Sequence, residues 1–339
     1  MAKKIFDIIT MGRSCIDLYS LDIGVRFEDI TKFAAYVGGS PTNIAVGTRR
    51  LGLKVALLTG IGYDKVGDFI VNFLKGEGID TSYIPKIKGA RSSAAMLGIE
   101  KDNKFPLVFY RDNAADIQVT IDDVLATPLD KTKAFEFGGT NLSKEPSRSA
   151  TFVATERAQK FGATVYMDLD FRADQWHDVR AFGANVRAIL PLVDVAIGTE
   201  EEINAAMLRD PKDVEIKDSQ ISAPIIKGNT NKNIKALLDV PSGPEALVVK
   251  RGAKGATIHL RSGEVIKTPG FPVEIYNVLG AGDAFASGFI YGRTKGWDWY
   301  KAARMGNACG AIVVTRHGCA NFMGYEKEVL EFVESRGGF

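Results

Sequence analysis

Asn277-Val278-Leu279-Gly280-Ala281-Gly282-Asp283-Ala284-Phe285 sets an aspartate directly behind a Gly-Ala-Gly turn that opens a helix. Glycines let the backbone approach a ligand closely. The first N–H groups of a helix have no intrahelical partner and point outward as anion donors. A carboxylate in the same turn lies beside a bound phosphate and can accept the proton of an attacking hydroxyl. The stretch therefore reads as a phosphoryl-transfer site built on a strand-to-helix turn. The competing reading is an ordinary helix start, with Asp283 as a first-turn carboxylate favoured by the helix dipole.

Upstream of that turn, short apolar runs alternate with helical patterns. Residues 5–11, 54–59, 133–137, 164–168, 193–197 and 246–250 are expected as buried strands, and 41–51, 66–77, 147–161, 179–190 and 200–208 as helices. This alternation predicts an α/β fold, a mostly parallel central sheet flanked by helices on both faces. Residues 17–39 and 91–116 break the rhythm, with strand-like runs at 18–25, 94–100 and 105–110 and no helix between them. They are expected to form a small antiparallel β lid over the carboxyl ends of the main strands, where ligands of open α/β sheets bind. One domain spanning 1–339 accommodates all of this.

Composition narrows the classes of partner. Lys and Arg number 43 against 41 Asp and Glu, a formal charge of +2, so neither a nucleic-acid footprint nor a polybasic membrane patch is expected. Cys15, Cys309 and Cys319 are odd in number, lack Cys-x-x-Cys spacing and have no histidine pattern to complete a metal site. A reducing cytoplasm is the expected location. No apolar run approaches the roughly 18 residues of a membrane helix.

Near the start of the chain, Gly12-Arg13-Ser14-Cys15-Ile16-Asp17 closes the first strand, and Gly38-Gly39-Ser40-Pro41-Thr42-Asn43 opens a helix. An aspartate facing an amide can bind neighbouring hydroxyls, the carboxylate accepting and the amide answering either polarity. That is sugar chemistry. With Gly-Gly-x-x-x-Asn, then Thr59-Gly60-Ile61-Gly62-Tyr63-Asp64-Lys65-Val66-Gly67, and finally Gly280-Ala281-Gly282-Asp283, the chain resembles the ribokinase (PfkB-type) carbohydrate kinases over nearly its whole length.

The resemblance implies a ribokinase-like fold and transfer of phosphate from ATP to a sugar, with Mg²⁺. It implies that Asp283 is the catalytic base and that the backbone of Gly280, Ala281 and Gly282 is the anion hole. Asp17, Gly39 and Asn43 would hold the sugar. Lys250, Gly252 and Gly255, in Lys250-Arg251-Gly252-Ala253-Lys254-Gly255, would run along the nucleotide, and Asn307 would lie near the adenine. In Gly198-Thr199-Glu200-Glu201-Glu202, Glu202 matches the family's Asn-x-x-Glu element, which organises Mg²⁺ through water, and Thr199 stands in place of the asparagine.

Two arginines, Arg111 after a lid strand and Arg172 in Asp168-Leu169-Asp170-Phe171-Arg172, suit a bidentate grip on a carboxylate and point to a sugar acid. Salt-bridging of Arg172 to Asp168 or Asp170 is the competing reading, as is a solvated lid position for Arg111. Within the family, the Asp-Leu-Asp-Phe-Arg and Gly-Thr-Glu-Glu-Glu segments resemble the kinases of inositol catabolism. These act on the C6 hydroxyl of 5-dehydro-2-deoxy-D-gluconate. Kinases of 2-dehydro-3-deoxygluconate come next, and fructokinase-like enzymes third. A sugar-binding regulator without catalysis is the alternative from another class, against which the intact Gly280–Gly282 turn and Asp283 argue. Relatives that use potassium place an aspartate and a polar residue before the turn, where this chain has Asn277 and Leu279, so weak potassium activation is expected. An exposed lid also invites a homodimer. No Gly-x-x-x-x-Gly-Lys-Ser/Thr and no Gly-x-Gly-x-x-Gly after the first strand is present, which removes P-loop and Rossmann readings.

Overall fold

The computed structural model describes residues 3–101, 104–216 and 224–339. Its main sheet has eight strands in the order Val265–Thr268, Ala256–Leu260, Ala246–Lys250, Val195–Thr199, Thr164–Asp168, Thr132–Gly138, Phe6–Met11 and Val55–Leu58. The last six of these pair in parallel and are the six strands expected from the sequence. The first two form an antiparallel hairpin on the edge.

Each parallel strand is apolar on both sides because both faces are covered. Along Ala246–Lys250, Ala246 and Val248 enter one core while Leu247 and Val249 enter the other. The first core lies under helices Ser40–Arg50, Lys65–Gly76, Ala281–Thr294, Trp299–Val314 and Glu326–Glu334; the second under Ser147–Lys160, Val179–Ile189, Glu200–Ala206 and Thr230–Leu238. Helices Ser40–Arg50 and Ala281–Thr294 meet without room for a methyl group between them. A Cβ on Gly47 would stand 2.3 Å from Ser287 Oγ. No described helix is long and apolar enough to cross a membrane.

The lid is a second sheet of four strands, ordered Phe33–Gly38, Cys15–Ser20, Ser93–Leu97 and Leu107–Tyr110. Its outer pairs are antiparallel, as expected, while the central pairing of Cys15–Ser20 with Ser93–Leu97 is parallel. The first lid strand comes earlier than residues 18–25: it ends at Ser20, whose hydroxyl donates to Asp22 O and starts a turn. The last begins at Leu107, after Pro106, which has no N–H to give a ladder. Only Gly12, Arg13 and Ser14 separate the lid strand Cys15–Ser20 from the central strand Phe6–Met11.

Candidate active site

The carboxyl ends of the parallel strands, the lid and the start of helix Ala281–Thr294 converge on one polar region. Gly280 takes the left-handed conformation (φ 76°), and a Cβ there would lie 2.7 Å from Cys319 N, so only glycine fits. No side chain caps the helix start, which leaves its first N–H groups facing outward. Asp283, in the first turn, accepts from Ser40 Oγ and from Asn43 Nδ2, each at 2.7 Å. Both donors come from the first turn of helix Ser40–Arg50, which follows Gly39 at φ 104°. A Cβ on Gly39 would lie 2.3 Å from the carbonyl oxygen of Arg13.

Beside this turn lies a cation among carboxylates. Lys250 Nζ donates to both oxygens of Asp168 at 2.9 and 3.1 Å and stands 3.9 Å from Glu202 Oε2. A Cβ on Gly282 would be 3.1 Å from the same ammonium, so Lys250 projects over the Gly-Ala-Gly turn. Burial acts to lower the Lys250 pKa, but Asp168, Glu202 and Asp283 outweigh it and raise the pKa. The Asp168 carboxyl is pushed up to about 7 by burial, with Glu202, Asp283 and Asp170 adding to the effect against the pull of Lys250. One ammonium does not neutralise all these carboxylates, so both pKa values rise.

Thr199 and Glu202 form a capping box at the start of helix Glu200–Ala206, with Glu202 Oε2 accepting from Thr199 N at 2.7 Å and Oε1 from Phe171 N at 3.3 Å. The chemistry of these oxygen donors fits Mg²⁺, which binds through one or two carboxylates and the phosphates of its nucleotide. Among the described residues no group of three His, Cys, Asp or Glu forms a metal cage. Gly252 (φ 55°) and Gly255 (φ 88°) shape the turn after Lys250. Asn307 Nδ2 donates to Pro269 O at 2.9 Å and Thr268 Oγ1 at 3.2 Å, tying helix Trp299–Val314 to the edge strand.

At the lid, Asp17 is buried against Gly38 and accepts from Cys15 Sγ at 2.9 Å, Cys319 Sγ at 2.7 Å and Tyr19 OH at 3.2 Å. Burial raises its pKa, although these three donors and Arg13 counteract. The two arginines expected to offer free forks to one carboxylate are both engaged by protein carboxylates. Arg111 donates from Nε and Nη2 to Asp116 Oδ2 at 2.7 and 2.5 Å, with both side chains buried. Arg172 Nε lies 3.3 Å from Asp170 Oδ1. In each case a carboxylate within five residues along the chain reaches the guanidinium first. The Arg172 side chain is 26% exposed and keeps an open flank.

Three participants escaped the sequence reading. Ser40 is the second donor to Asp283. Glu136, fully buried in strand Thr132–Gly138, has no hydrogen-bond partner on either oxygen, and burial together with Asp168, Asp283 and Asp170 holds its pKa well above the usual carboxylate range. Arg13 lies under the lid, its guanidinium 4.7 Å from the Phe109 ring centre. The available signals were a lone glutamate in an apolar strand and an arginine just past a strand's carboxyl end.

Residues 6–324 match the pfkB family of carbohydrate kinases. Among curated proteins, the chain is 35% identical over 335 residues to a 5-dehydro-2-deoxygluconokinase of Clostridium tetani, covering 98% of this chain and 94% of that one. It is 33% identical over 333 residues to the protein of that name in Geobacillus thermodenitrificans, with the same coverage. A solved fructokinase from Xylella fastidiosa with bound ATP shares 24% identity and superimposes with a TM-score of 0.83 over 98% of this chain and 99% of that one.

Proposed function

The chain belongs to the pfkB family and is an ATP-dependent sugar kinase, and on that premise we propose that its acceptor is 5-dehydro-2-deoxy-D-gluconate, phosphorylated on the terminal C6 hydroxyl. The names of the curated relatives support this acceptor, as does the concentration of arginines at the junction of lid and sheet. Inositol catabolism in the cytoplasm would be its setting. Asp17, Gly39 and Asn43 would line the sugar, with Arg172 and Arg111 bordering its carboxylate end. Lys250, Gly252, Gly255, Thr199 and Asn307 would line the nucleotide. A lid-to-lid homodimer completes the proposal.

The observation that carries the chemistry is Asp283 fixed by Ser40 and Asn43 at the mouth of an uncapped helix. Asp283 takes the hydroxyl proton while the sugar oxygen bonds to the γ-phosphorus and the bond to the bridging β–γ oxygen breaks, releasing ADP. Charge growing on the transferred group meets the N–H groups of Gly280, Ala281 and Gly282 and the Lys250 ammonium, and one well-placed donor of this kind is worth about 3–4 kcal/mol. Mg²⁺ held with Glu202 would neutralise phosphate charge.

The test is ADP release with 5-dehydro-2-deoxygluconate, 2-dehydro-3-deoxygluconate and fructose. The first should give the highest kcat/KM. A higher value with either other sugar reassigns the acceptor, and sugar binding without ADP release from any of them leaves a regulator.

A further inference from the structure

Arg13 is 95% buried yet poorly paired, with a relative exposure of 5%. Its Nε has no hydrogen-bond partner, and Nη2 lies 3.6 Å from Asp170 Oδ2, beyond hydrogen-bond reach. Buried charges are ordinarily paired and hydrogen-bonded, because desolvation without compensation is costly. Arg172 Nε likewise has no hydrogen-bond partner, whereas Arg111 is fully engaged. Arg111 makes two short bonds to Asp116, and Asp170, already accepting from Thr140 Oγ1 at 3.0 Å, is shared between Arg13 and Arg172. Asp17 and Asp283 also act on the Arg13 charge, but neither reaches its fork with a hydrogen bond.

Its place is beside the reacting groups. The Arg13 carbonyl oxygen accepts from Thr42 Oγ1 at 2.9 Å and packs on Gly39, the residue before Ser40, and Ser40 and Asn43 hold Asp283. Phe109 of the lid stacks on the guanidinium. Gly138 has no side chain on this side, where a Cβ would approach Asp170 Oδ2 and the Pro41 ring only to 3.5 Å. Lid, sheet and the helix that carries Ser40 and Asn43 thus meet at the fork.

We infer that Arg13 binds the carboxylate of the acceptor sugar acid and sets the preference for acids over neutral sugars, with Asp170 steadying one edge of the fork and Phe109 its plane. This rests on the sugar-acid reading proposed above. A planar fork with free donors matches a carboxylate bidentately, which an ammonium cannot do.

The experiment compares the full-length protein with Arg13→Gln and Arg13→Lys on 5-dehydro-2-deoxygluconate and on fructose, reading kcat and KM, or Kd where turnover is slow, alongside melting temperature. The acid-to-neutral ratio of kcat/KM should fall about 10- to 150-fold in Arg13→Gln, the range for one charge-assisted hydrogen bond, mainly through the KM for the acid. Arg13→Lys should recover part of it. Because lysine keeps the charge beside Asp170, that variant still reports if Arg13→Gln fails to fold: an acid KM equal to wild type would overturn the inference. A selective wild type whose variants lose both sugars by the same factor reduces Arg13 to balancing Asp17 and Asp170, leaving the acceptor reading intact. A wild type indifferent to the carboxylate overturns both.

Discussion

Asn43 donates its amide to Asp283 Oδ2 at 2.7 Å, joining two residues 240 apart in sequence. The bond, with its counterpart from Ser40, leaves the carboxylate one orientation in which to meet a hydroxyl. Asp283→Asn should therefore lower kcat by about 10²- to 10⁴-fold, the range for a positioned acid–base group, with nucleotide affinity retained. Steady-state turnover alongside calorimetric ATP binding checks this; turnover near the wild-type rate would remove Asp283 from the chemical step.

Asn277 bears on monovalent cations. Its Nδ2 donates to His317 O at 2.6 Å and its Oδ1 accepts from Leu279 N at 3.0 Å, so the side chain already satisfies a carbonyl that would otherwise be free to bind an ion. The kcat should fall only weakly when potassium is replaced by sodium or tetramethylammonium at fixed ionic strength. Asn277→Asp, which removes the donor and adds a hard oxygen ligand, should introduce a cation requirement. Strong potassium activation of the wild type would show that backbone carbonyls suffice.

Asp168 makes stability depend on pH. Its carboxyl is held at about 7 in the folded protein, against 3.8 ordinarily, so the folded state keeps a proton that the unfolded state releases between those values. Stability from this group is fully present below the unfolded pKa and is lost as pH rises to about 7, with a slope of at most about 1.4 kcal/mol per unit. Urea titrations from pH 4.5 to 8 should show the wild type losing stability relative to Asp168→Asn across that window and holding a constant difference above it. A difference independent of pH would mean that Asp168 is ionised throughout.

The lid's outer face carries the dimer expectation. Register pairs Leu18 with Met96 and Met96 with Val108, and Ala94 with Tyr110, giving an apolar row on which Val108 is 41% and Tyr110 60% exposed. Sedimentation equilibrium should give twice the chain mass of 36.8 kDa, and Val108→Glu should return it to the single-chain value. A wild type that sediments as one chain removes the dimer.

The six parallel strands were legible because strands covered on both faces are short apolar runs bounded by turns, as in Ala246–Lys250. The edge hairpin was not. In Ala256–Leu260 and Val265–Thr268, Thr257, His259 and Lys267 interrupt the apolar pattern, as expected of strands covered less completely. The parallel centre of the lid depends on a crossover through Val55–Leu58 and Lys65–Gly76, which no local signal in Ser93–Leu97 carries. In the site, the Gly-Ala-Gly-Asp turn announces itself through backbone chemistry in four consecutive residues. The arginines do not. Whether Asp116, Asp170 or a ligand takes a given guanidinium is decided by distances that sequence order leaves open, so Arg111 read as free and Arg13 went without a role.

The seam between Gly47 and Ser287 has a further consequence. Ser40 and Asn43 ride on one helix and Asp283 on the other, so the spacing of the two helix axes is the gauge that sets the reach from amide to base. A methyl group at position 47 would act as a shim, wedging the helices apart and detuning proton transfer with every catalytic side chain still present. On the proposed mechanism, Gly47→Ala would slow the chemical step from a seam between two helices, away from the hydrogen bonds to Asp283.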